Sequence, residues 1–248
     1  MTAWLAGKTA LVTGASTGIG LAVATRFVQE GAHVFITGRR QGPLDDAAAT
    51  LGDQVTAVRA DAASPDDLDE LFGQITARGQ GLDAVHVNAG GGTYKPLSEV
   101  TPDDIDQAFA ANVRGAILTV QKAVPLMRAG GSVVLTGSTQ ADGGQAAFGL
   151  YSASKAALRT LTRTWAVELA PKGIRVNDVT PGPTETPGLA GLAPENSAEL
   201  LRALAASVPL GRLITPEEVA SAVLFLVSDM SSATTGSELF VDGGDAHS

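Results

Sequence analysis

TALVTGASTGIGLAVATRFV, residues 9–28, is the stretch that decides the fold. It opens with a short run of β-branched and apolar residues, TALV, the composition of a buried strand. From Ile19 to Val28 apolar residues return at helical spacing, with Ile19, Val23 and Phe27 four apart on one face. Between the two lie Gly14, Gly18 and Gly20. They suit a tight turn, close approach of a bound pyrophosphate, and close packing of helix on strand. Amides at the start of the helix can receive the anion. A glycine triplet alone signals only a turn; set between a strand and a helix it predicts a phosphate cradle formed by Gly14, Ser16, Thr17, Gly18, Ile19 and Gly20.

Outward from this unit the same alternation continues. AHVFITG, VTAVRAD, LDAVHVNAG, GSVVLTGS, IRVNDVTPG and SELFVDGG are β-rich runs separated by helix-like stretches. Their near-continuous hydrophobicity suits strands covered on both faces in a parallel sheet, and the alternation predicts a doubly wound α/β fold. Ser64-Pro65-Asp66-Asp67, Thr101-Pro102-Asp103-Asp104 and Thr215-Pro216-Glu217-Glu218 share one recipe for starting a helix: a hydroxyl cap, a proline, then acids in the positive first turn. These acids therefore read as helix starts, not as catalytic carboxylates. No linker divides the chain, so residues 1–248 read as one domain. The Pro/Gly/Ala-rich PGPTETPGLAGLAPENSAEL, which precedes a helix near residues 196–206, predicts a substrate lid over about residues 183–212.

Composition narrows the function. The chain has 248 residues, 44% of them hydrophobic, enough for a large core. Without cysteine it can have no disulfide, thiol nucleophile or thiolate metal site. His33, His86 and His247 lack metal-ligand spacing, so no metal is expected. A formal charge of −9 argues against nucleic acid as a partner. No apolar run is long enough for a membrane span, and the N-terminus lacks the apolar core of a secretory signal. A soluble, cytoplasmic protein is expected.

The second strand ends FITGRR, where an NAD site usually places an acid for the ribose diol. Here stand Arg39 and Arg40, with no acid until Asp45. Guanidinium groups can pair with a 2′-phosphate, so NADP(H) is the expected cofactor.

The chemistry is concentrated further along. Tyr151 and Lys155 lie four apart in YSASK, so they share a helix face, and Ser138 ends the strand-like GGSVVLTGS. A fixed ammonium beside a phenol favours the phenolate, and a serine hydroxyl can join the same small volume. The three describe a device for moving a proton on or off an oxygen.

Taken together, TGASTGIG, Asp61, NAG at 88–90, NV at 112–113, Ser138, YSASK at 151–155, PGPTET at 181–186 and VDGG at 241–244 occur in the order and spacing of the short-chain dehydrogenase/reductase family. The chain resembles that family over essentially its whole length, and most of all its NADP-dependent ketone and secondary-alcohol reductases. The resemblance implies a Rossmann-type sheet of seven parallel strands in the order 3-2-1-4-5-6-7. It implies Asn112, Ser138, Tyr151 and Lys155 as catalytic residues, with Asn112 anchoring a water that connects Lys155 to solvent. Asp61 and Ala62 would border the adenine, and Asn88, Ala89 and Gly90 the adenosine ribose. Tyr151 and Lys155 would also bind the nicotinamide ribose, and Pro181, Gly182, Thr184 and Thr186 the carboxamide end. Most relatives are tetramers, so a homotetramer is expected. Val87 stands where an asparagine is frequent, and Ala62 where valine is.

Gly91, Gly92, Tyr94, Gln140, Phe148, Leu150, Leu189 and Leu192 are expected to ring a mostly apolar pocket, suited to a hydrophobic ketone or alcohol. Two alternatives stand beside this reading: a 3-oxoacyl-[acyl-carrier-protein] reductase, which needs a basic docking patch, and a non-enzymatic NADP-binding regulator. Asp178, in a strand that should be central, reads as a structural acid needing partners.

Overall fold

In the computed structural model, which describes residues 3–247, seven strands form one sheet. They are β1 (Thr9–Val12), β2 (His33–Gly38), β3 (Val55–Arg59), β4 (Leu82–Val87), β5 (Met127–Thr136), β6 (Arg175–Pro181) and β7 (Glu238–Val241). All neighbours run parallel, in the order β3-β2-β1-β4-β5-β6-β7. The order reverses between β1 and β4, and that switch point opens a crevice at the carboxyl ends of the strands.

Adjacent residues of each strand point to opposite faces, which explains the unbroken hydrophobic runs. Val12, Ile36 and Val134 face one core with α1 (Gly18–Gln29), α2 (Gln41–Leu51) and α9 (Pro216–Val227). Their neighbours Leu11, Phe35 and Val133 face the other, with α3 (Pro65–Arg78), α5 (Gly115–Ala123) and α6 (Gly149–Leu169). The three acid-rich starts behave as their chemistry requires. Ser64 accepts from Asp67 N–H at 3.3 Å, and both Thr101–Asp104 and Thr215–Glu218 form reciprocal capping boxes.

One helix departs from regularity. α4 (Pro102–Phe109) leads into α5 through a π-helical turn, Ala110–Arg114, centred on Asn112. Beyond β6, α7 (Pro187–Ala190) and α8 (Ser197–Ser207) cross the mouth of the crevice. No helix among the described residues is long and apolar enough to cross a membrane.

Candidate active site

The crevice begins where β1 ends. Gly14 adopts φ 63°, and a Cβ there would come within 2.9 Å of Ala89 Cα. A Cβ on Gly20 would fall 2.3 Å from Gly14 O, so glycine lets α1 sit directly on the turn. Asn88, just beyond β4, fastens this turn by donating to the carbonyls of Thr13 and Gly14, each at 3.2 Å. Thr13 Oγ1 in return accepts from the backbone N–H groups of Asn88 and Ala89, at 3.0 and 3.1 Å. Thr17 caps α1 without a side-chain bond, and no acid occupies the first turn. The amides there are left for an external anion.

Two cavities meet over this turn, of about 590 and about 400 Å³. The larger reaches Ser16, Arg39, Arg40, Asp61 and Ala62; the smaller reaches Ser138, Lys155, Pro181, Gly182, Thr184 and Thr186. Both include Gly14, Thr17, Ala89, Gly90 and Tyr151. Arg39 and Arg40 are exposed, and neither has an ion-pair partner among the described residues. Asp45, the nearest acid beyond them, instead takes a hydrogen bond from Gln41 at 2.8 Å. A groove with cations at one end, free amides in the middle and hydroxyls at the other fits an extended dinucleotide.

α6 carries Tyr151, Lys155 and Arg159 as one stripe at four-residue intervals. Lys155 is 4% exposed; its Nζ donates to Thr136 O at 2.7 Å and lies 5.5 Å from the Tyr151 ring centre. Ser138 Oγ accepts from Gln140 N–H at 3.2 Å, which leaves its own hydrogen free to donate. The Tyr151 ring stacks on Phe148 at 4.6 Å, and Phe148 lies 4.6 Å from Tyr94. Beneath the site, His86 Nε2 lies 2.9 Å from Thr136 Oγ1. Burial, and then the charge of Lys155, lower the His86 pKa to about 3, so this imidazole is neutral.

The smaller cavity gathers Gly91, Gly92, Tyr94, Gln140, Phe148, Leu189 and Leu192, as the sequence suggests. Leu150 goes elsewhere, into the larger cavity beside Gln107 and Ala111. It precedes Tyr151 on a helix, and adjacent helical residues point in different directions. Asn112 is buried, and its side chain is fully engaged. Its Oδ1 accepts from Gly91 N–H at 2.9 Å, while its Nδ2 donates to Gly91 O and Ser154 Oγ, each at 2.9 Å. With both ends engaged, this side chain braces the loop after β4 against α6. Sequence reasoning missed Thr13, Thr136, Gln145 and Leu204. The first two act through strand-end geometry, Gln145 through a loop and Leu204 through the way α8 lies over the crevice, neither of which a local pattern announces. Among the described residues no group of three or more His, Cys, Asp or Glu could hold a metal ion; the His247 side chain lies outside them.

Fold and site together define a dinucleotide-binding α/β oxidoreductase. A family model described as Enoyl-(Acyl carrier protein) reductase matches residues 14–245. An oxidoreductase, asL5, of Sarocladium schorii is 44% identical over 97% of this chain and 96% of its own. The solved structure of a short-chain dehydrogenase/reductase of the glucose/ribitol dehydrogenase type from Brucella melitensis superposes with a TM-score of 0.93, at 33% identity and with both chains fully covered. A 3-ketoacyl-(acyl-carrier-protein) reductase from the same organism, complexed with NADH, gives 0.89 at 32% identity, covering 98% of this chain and 99% of its own. This chain belongs to the short-chain dehydrogenase/reductase family.

Proposed function

We propose that this protein is an NADPH-dependent carbonyl reductase, and in reverse a secondary-alcohol dehydrogenase, acting on hydrophobic ketones and alcohols. One observation carries the reading: Ser138, Tyr151 and Lys155 line a largely apolar cavity that continues into a groove ending at two unpaired arginines. The Tyr151 hydroxyl gives its proton to the substrate oxygen, and the buried Lys155 ammonium favours the charge left on the phenolic oxygen. Ser138 donates to the same substrate oxygen and stabilises charge that grows there in the transition state. Asn112 keeps the loop at Gly91 in register with α6. A bound nicotinamide supplies the hydride for reduction and accepts it in oxidation.

Arg39, first after Gly38, is the expected partner of a 2′-phosphate, with Arg40 beside it. A charge-assisted hydrogen bond contributes about 1.5–3 kcal/mol, enough for a roughly ten- to hundredfold preference over NADH. Leu189, Leu192 and Leu204, from the segment spanning α7 and α8, form the apolar wall, which supports a lid role for residues 183–212. The exposed Ile105 and Ile117 on α4 and α5 offer apolar surface for self-association, and a homotetramer is the assembly we propose.

A second reading, reduction of a 3-oxoacyl group carried on an acidic protein, is favoured by the carrier-protein reductase structure described above. The −9 charge opposes such docking. Cofactor consumption should be followed against a panel of aryl and alkyl ketones and a protein-bound 3-oxoacyl thioester, with NADPH and with NADH. Ketone turnover with NADPH preferred is expected. A preference for NADH would overturn the arginine argument, and turnover of the thioester alone would overturn the substrate.

A further inference from the structure

Asp178 is an ionisable side chain for which the reaction has no use, yet it lies in the middle of β6 and is 1% exposed. It shares a sheet face with Val176 and Thr180, the face covered by α6. Thr180 Oγ1 lies 2.8 Å from Asp178 Oδ1 and 2.8 Å from Glu238 Oε1 on the neighbouring β7. A hydroxyl has one hydrogen to give. It can satisfy one carboxylate; toward the other it presents only lone pairs, which repel an anionic oxygen. One of the two carboxyl groups must therefore bring its own proton. Glu238 already has a cation: Arg159 donates to the same Oε1 through Nε at 3.0 Å and Nη2 at 2.7 Å. Asp178 touches no cation, and its Oδ2 is buried without a partner. The carbonyl oxygen of a neutral acid tolerates that far better than a carboxylate does.

We propose that Asp178 keeps its proton into the neutral pH range, donating to Thr180 and through it to Glu238, and that it is a positioning residue for Ser138. The link is Gly137, immediately before Ser138. A Cβ on Gly137 would fall 2.3 Å from Asp178 Oδ1 and 2.9 Å from Thr180 Oγ1, so the backbone of this strand end rests on the pair. The charged groups facing Asp178 are Glu238 from β7, Lys155 and Arg159 from α6, and Asp142, which pairs with Arg159 from the turn after Ser138. Burial raises the carboxyl to about 7, and the Glu238 charge adds to the rise; Thr180 and the Gly137 N–H, which would donate to the ionised form, and the Lys155 charge oppose it. A neutral Asp178 also leaves Lys155 as the charge acting on Tyr151.

The link to Ser138 rests on the proposed reaction, but the protonation state is testable without substrate. Infrared spectra of the full-length protein should show a carboxylic-acid C=O band at neutral pH. It should fade as the solution is made alkaline and be absent from Asp178→Asn. In ketone reduction, Asp178→Ala should lower kcat about tenfold with little change in the KM for NADPH, and Asp178→Asn, the neutral isostere, should recover most of that loss. No such band in the wild type, a band that survives in Asp178→Asn, or an Asn variant no better than Ala would overturn the proposal.

Discussion

The phenol of Tyr151 is held by contacts of two kinds, and only one was legible in the sequence. Four-residue spacing announces Lys155, because a helix repeats locally. The stack of Tyr94 and Phe148 on the Tyr151 ring depends on the path of the 143–148 loop. That loop includes Ala147 at φ 63° and is tied down where Lys95 N–H donates to Ala147 O at 2.6 Å. An aromatic pair contributes about 0.5–1.5 kcal/mol beyond burial. Phe148→Ala should accordingly lower kcat several-fold, as measured by steady-state kinetics, and leave NADPH binding in place. At the other end of the groove, Arg39→Ala should raise the KM for NADPH about tenfold or more and leave that for NADH nearly unchanged. Equal effects on both cofactors would remove the 2′-phosphate assignment. Gly20 offers a harsher test: Gly20→Ala drives a methyl into the Gly14 carbonyl. It should cost about 1–3 kcal/mol in denaturant unfolding and weaken binding of either dinucleotide.

At the scale of elements, helix starts were readable and helix interruptions were not. A cap is written in four consecutive residues, so Thr215 and Glu218 are recognisable from the sequence alone. Thr215→Ala should lower stability by about 1 kcal/mol, seen as a small drop in Tm with kinetics unaffected. The π-turn at Ala110–Arg114 has no such signature. It exists where Asn112 reaches Gly91 and Ser154, residues 21 and 42 positions away. π-turns recur at functional sites, and this one sets the loop that borders both cavities. Leu150 was misplaced for a related reason: a position in sequence beside the tyrosine does not fix which cavity a helical side chain enters.

For the whole molecule, strand alternation and glycine placement made the sheet and its switch point legible, because parallel strands covered on both faces must be apolar throughout. Buried polar groups inside that sheet were legible only as oddities, and they shape the pH response. The folded state holds His86 neutral, with its pKa lowered from 6.5 to about 3, so His86 favours folding above about 6.5 and loses that contribution as pH falls. Asp178 works in the opposite sense. Its raised pKa favours folding at low pH, and that contribution is lost as pH rises from about 4 to about 7. Between about 4 and 6.5 the two offset each other. Asp178→Asn leaves the histidine alone, so its stability should fall on acidification relative to wild type, by on the order of 1 kcal/mol per pH unit. Denaturant unfolding across that range would show it, and parallel profiles would contradict it. The proposed reaction turns on one oxygen, the Tyr151 hydroxyl. The most direct test compares wild type with Tyr151→Phe for ketone-dependent NADPH oxidation, with NADPH affinity measured separately by fluorescence. The expected result is a fall in kcat of about 10²–10⁴-fold with affinity nearly unchanged; a phenylalanine variant that turned over at close to the wild-type rate would contradict the assignment of Tyr151 as the proton donor.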